Sequence, residues 1–136
     1  MDPRQRLRDL SPRLLRLHRL LLDRERLAYE ATHGAIPAGK LLSLVLHDDH
    51  FAWLRSLSTV IAQIDSAVDG DEPITQDHAR SAFGELHRLL KSGVSGDFQD
   101  RYRAALQESP DVVMAHADVS RALPAPPPEP PGRREE

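Results

Sequence analysis

The segment His47-Asp48-Asp49-His50-Phe51-Ala52-Trp53 places two imidazoles, two carboxylates and the chain's only tryptophan within seven residues. Imidazole and carboxylate are the ligand types that zinc and iron accept. On a continuous helix, His47 and His50 would stand one turn apart on one face. The same residues have a plainer use. A carboxylate at a helix start accepts from free backbone N–H groups and needs no metal, so Asp48 or Asp49 suits a boundary between two helices. Trp53 suits a core anchor. Capping by Asp48 and anchoring by Trp53 is the preferred reading.

Other spacings point to chemistry more weakly. Glu30-Ala31-Thr32-His33 matches the Glu-x-x-His pair of di-iron bundles, but those sites need a second such pair and further glutamates on one cavity, whereas no second pair follows and Glu72, Glu85 and Glu108 are scattered. His33 thus joins His47 and His50 only as a third candidate for a metal or small-molecule site beside Trp53. Arg13-x4-His18 and Arg80-x6-His87 fit the Arg–His spacing used by helical ribonucleases. Sixteen arginines and seven histidines supply such spacings by chance, and Leu14 is apolar where that motif is usually polar. There is no Gly-rich phosphate loop, no Gly-x-Ser-x-Gly elbow and no His-Glu-x-x-His. Without cysteine, thiol nucleophiles, thiolate metal sites and disulfides are excluded. We expect no catalytic residue and no cofactor.

Composition narrows the partners. The 136 residues are 40% hydrophobic and rich in Leu and Ala, which suits helices more than sheets. Net charge is -3, yet residues 1–26 carry eight arginines against four acidic residues, a local +4 that leaves -7 for the remainder. An acidic whole with one basic helix does not favour nucleic acid. No apolar run approaches the roughly 20 residues that span a bilayer, and Met1–Arg6 leads into no signal-like apolar core. A cytoplasmic protein is expected.

These residues must be held by helices. Leu7, Leu10, Leu14, Leu17 and Leu21 recur at alternating intervals of three and four, a helical stripe that Leu15 and Leu22 widen. Ser11-Pro12 reads as N-cap and first position, so the main helix should begin there and end at Gly34. A short helix over about 40–47 is apolar nearly all round and should be buried. Further helices are expected over about 49–68, over 76–91 capped by Thr75, and over 98–107 capped by Asp97. The last opens at Ser109-Pro110 and runs to Leu123. From Pro124 onward the proline run predicts a disordered tail, in which Pro128-x-x-Pro131-x-Arg133 fits a polyproline-ligand pattern. The fold class is therefore all-α: a single bundle of five or six helices over 1–123, with a Pro-rich tail over 124–136.

Several stretches together carry a resemblance: Tyr29-Glu30-x-x-His33-Gly34, Leu44-Val45-Leu46-His47-Asp48, Phe51-Ala52-Trp53-Leu54-Arg55-x-Leu57-Ser58, Ile64-Asp65, Asp71-Glu72-Pro73, Arg101-Tyr102-x-x-Ala105-Leu106-Gln107 and Pro110-Asp111-Val112-Val113. Over about residues 14–123 the chain resembles a family of small, uncharacterised, all-helical bacterial proteins. That resemblance implies the fold and no activity. Such proteins tend to read His-Asp-Pro where this chain reads His47-Asp48-Asp49, which implies a capping role for Asp48. The function expected is a non-enzymatic interaction or structural domain. Self-association is foreseen through the first helix, whose long Leu stripe could pair across a dimer axis.

Overall fold

Helix α1 runs unbroken from Pro3 to His33, capped by the Asp2 carboxylate, which accepts from the Gln5 N–H. At 1.5 Å per residue its 31 residues extend about 46 Å. The start expected at Ser11-Pro12 is not there. Pro12 lies inside the helix on its exposed face, so the carbonyl it leaves unpaired, that of exposed Arg8, faces water. Ser11 is turned inward, and its hydroxyl bonds to the Asp65 carboxylate instead of capping a helix. The Leu stripe on either side of Pro12 overrides the local stop signal, because Leu7, Leu10, Leu14, Leu17 and Leu21 are all buried in one core.

The computed structural model describes residues 2–124, so of the tail expected over 124–136 all but Pro124 lies outside the described residues. After α1 come α2 (Leu41–His47), a 3-10 segment (Asp49–Leu54), α3 (Arg55–Asp69), α4 (Gln76–Leu90), α5 (Asp97–Glu108) and α6 (Pro110–Ala122). The molecule is an all-α bundle with no strand among the described residues. None of these helices is long and apolar enough to cross a membrane.

α1 is the central helix, flanked by α3 and α6, both antiparallel to it. Its N-terminal Arg4 reaches the carbonyls of Ala67, Val68, Gly70 and Glu72 at the end of α3. On the other flank, Arg13 pairs with Asp118 of α6 at 2.6 Å and Arg24 with Glu108 at 2.8 Å. Between them lie Leu57, Val60, Ile61 and Ile64 of α3 and Val112, Ala115 and Val119 of α6. α4 contributes Leu86, Leu89 and Leu90, and α5 contributes Phe98 and Tyr102.

Three further expectations are corrected. Leu15 stands 47% exposed, so the buried stripe is narrower than the sequence suggested, although Leu22 does pack at its edge. α2 has no buried residue despite five aliphatic side chains in seven. Asp97 is the first residue of α5 and not its cap; Gly96 precedes it and Asp97 pairs with Arg101 one turn on. Thr75 and Ser109 do cap, accepting from the N–H groups of His78 and Val112.

Candidate functional site

The helix expected over 49–68 divides in two. Asp48 bends the chain with its own carboxylate, which accepts from the His50 N–H at 2.8 Å, and the Asp48 carbonyl accepts from the Phe51 N–H at 3.1 Å. The next six residues wind as a 3-10 helix, longer than the usual three or four. The tighter winding lets one short segment serve two neighbours. Phe51 and His50 turn toward α1, and Trp53 turns toward α5, its ring centroid 5.3 Å from that of Phe98. Trp53 is buried, and its indole N–H finds no hydrogen-bond partner among the described residues.

The extended backbone at Asp48, where α2 ends, takes His47 and His50 off a common helix face. His47 closes α2 and is exposed. His50 folds back onto α1, where its Nε2 lies 3.0 Å from the Glu25 carbonyl and 3.1 Å from a Glu25 carboxylate oxygen. His33 and His50 come together around Tyr29, and not beside Trp53 as expected from the sequence. Tyr29 stacks on His33 at 4.1 Å between centroids and meets His50 edge-on at 5.5 Å, with Phe51 5.7 Å away. The His33 Nδ1 lies 2.8 Å from the Thr32 hydroxyl and 3.1 Å from the Tyr29 carbonyl. Glu30 accepts from the Ile36 N–H, holding the turn that follows Gly34. Among the described residues, no group of three or more His, Asp or Glu side chains is placed to hold a metal ion.

The pairs with ribonuclease-like spacing are dispersed. Arg13 points to α6 and pairs with Asp118, whereas His18 points to α3, its Nε2 2.7 Å from the Ser58 hydroxyl. Ser58 donates its own proton to the Leu54 carbonyl at 3.1 Å, so the imidazole donates to Ser58 and does not activate it. Burial holds the His18 pKa below its ordinary value. Arg80 is exposed and paired with Asp77 at 2.9 Å, and the His87 Nε2 lies 2.6 Å from the Pro124 carbonyl.

A pattern that sequence reading missed emerges from these contacts. Arg4, Ser11, His18 and Glu25 lie seven residues apart, and each bonds in turn to the end of α3, to Asp65, to Ser58 and to His50. Two helical turns separate successive members, so they form a polar row along one edge of the Leu stripe. Their types differ too much for a motif, and only the partners reveal the row. These four side chains are thereby committed to joining α1 to its neighbours.

Besides the exposed polar residues Lys40, His47 and Asp49, this end of the bundle leaves large apolar side chains uncovered. Leu42 is 68% exposed and Leu46 54% exposed on α2, and Leu27 on the last turns of α1 is 63% exposed. Leu41, Leu44 and Val45 are half-buried toward the rest of the molecule, so Leu42 and Leu46, one turn apart, form an uncovered aliphatic face on the other side of α2. By contrast, the stripe expected to pair across a dimer axis faces wholly inward. Compared with known proteins, the chain matches no family model, no curated protein and no solved structure.

Proposed function

We propose that this chain is a non-enzymatic helical interaction domain that pairs with a second copy of itself through α2. The observation that carries this reading is the exposed pair Leu42 and Leu46 on one face of α2, in a molecule whose Leu stripe is already spent on its own core. The ends of α2 make the face self-complementary. Lys40 precedes its first turn and Asp48 and Asp49 follow its last. In an antiparallel two-fold pairing, Lys40 of one copy meets Asp49 of the other. A lysine at the positive end of a helix dipole is otherwise unfavourable, and a facing carboxylate relieves it.

Two turns fall short of the roughly 800 Å² per partner that stable interfaces bury. The dimer should therefore be concentration-dependent, in roughly the micromolar range. Light scattering of the full chain, with and without the double substitution Leu42→Lys/Leu46→Lys, tests this. Both side chains are exposed in the single chain, so helicity should be unchanged while the mass falls from two chains to one. A wild-type chain that stays monomeric at several hundred micromolar, on the order of a hundred times that range, would overturn the reading.

A further inference from the structure

We propose that a pocket where the C-terminal end of α4, the loop after it, α5 and α6 meet binds a small oxyanion of phosphate size. The pocket has a volume of about 260 Å³ and does not involve α2. Its polar lining includes Lys91, Gln99, Tyr102, Arg103 and His116.

The proton inventory makes this lining a set of donors. The Tyr102 hydroxyl lies 2.6 Å from the His116 Nδ1. Tyr102 is buried, and that burial raises its pKa, so the phenol keeps its proton at neutral pH. Were Nδ1 the donor, the phenolic proton would be buried without an acceptor; the phenol therefore donates to Nδ1. A neutral imidazole in that state carries its remaining proton on Nε2. No hydrogen bond within the described residues uses that nitrogen. His116 is held neutral by partial burial and by the nearby Lys91 ammonium, both of which lower its pKa.

The two cations complete the set. The Arg88 carbonyl at the end of α4 is bonded by other groups, Ser92 and Gln99 both donating to it at 2.8 and 3.1 Å. Among the described residues the Lys91 ammonium has no carboxylate within 4.0 Å, the carboxylates of Glu85 and Asp100 being paired with Arg88 and Arg103. Arg103 is drawn at 3.4 Å by Asp100, which the Ser95 hydroxyl also approaches at 3.3 Å. An Nε2–H, an ammonium and a guanidinium around one small pocket offer charge-assisted donors to an oxyanion and little to a cation or a neutral molecule.

The test is NMR of the His116 ring in the full chain, titrated with inorganic phosphate at constant pH and ionic strength, chloride making up the balance. The expected result is a saturable shift of the His116 resonance. Binding should weaken roughly tenfold in Lys91→Gln and in Arg103→Gln, as loss of one charged hydrogen bond implies. Both residues are exposed, so the fold survives either change. Acetate in a parallel titration separates a carboxylate-binding pocket from one that takes phosphate. The absence of a shift, a shift that chloride reproduces, or one unchanged in both variants would overturn the proposal. The oligomeric state plays no part in this readout, so the α2 dimer can fail independently.

Discussion

At the scale of single residues, several polar side chains, Arg4, Ser11, His18, Asp48 and His50 among them, are tied up in closing the fold, while His47 and Asp49 stay exposed. Arg4 is the clearest case. Its guanidinium gathers the carbonyls of Ala67 and Val68, which have no partner within α3, and those of Gly70 and Glu72 just beyond it. It also sets positive charge against the negative end of that helix dipole. Hydrogen bonds to a charged group contribute about 1.5–3 kcal/mol when buried, and less here because two of the four are exposed. Arg4→Met should therefore lower unfolding free energy by about 1–2 kcal/mol in urea titrations. Arg4→Lys should recover only part of that, since a point charge cannot bridge four acceptors as a planar fork does. A stability for Arg4→Met within about 0.3 kcal/mol of the parent would mean that solvent replaces all four bonds.

At the scale of elements, the caps and apolar periods were readable, and the misreadings share one cause. Thr75 and Ser109 cap because their signals are local and nothing tertiary opposes them. Ser11-Pro12 carries the same local signal and is overruled, because breaking α1 there would split five leucines that belong to one core. The burial expected for α2 followed from its composition, but composition does not say whether a neighbour is present to cover it. The division at Leu54 was equally hidden, since 3-10 winding follows from placing Phe51 against Tyr29 and Trp53 against Phe98 together. The polar row on α1 is legible only once its partners are known. Pro12 leaves a measurable trace of the conflict. A proline inside a helix costs up to about 3 kcal/mol relative to alanine, and Pro12 is exposed, so removing its ring forfeits no core contact. Pro12→Ala should stabilise the chain by about 1–3 kcal/mol, seen as a higher urea midpoint with an unchanged slope. A loss of stability would show instead that a bend at Pro12 seats Leu7 and Leu10.

At the scale of the whole molecule, two neutral imidazoles sit at different seams of the bundle, and both link stability to pH in the same direction. His18 lies between α1 and α3, its pKa lowered by burial. His116 joins α6 to α5, its pKa lowered by burial and then by Lys91. In the unfolded chain each titrates near 6.5. Below that pH the unfolded state takes up protons that the native state resists, so the native state loses ground as the solution is acidified. The contribution is complete above about pH 7 and declines from there toward each lowered native pKa. Urea denaturation between pH 7.5 and 5 should show stability falling with pH, before carboxylate protonation dominates. His18→Gln should flatten that slope and keep a donor toward Ser58, and His116→Gln should flatten it independently because the two sites share no partner. A slope the same in both variants as in the parent would place the titrating groups elsewhere. A slope of opposite sign would mean that these imidazoles are charged in the folded chain, and would remove the neutral Nε2–H on which the oxyanion pocket depends.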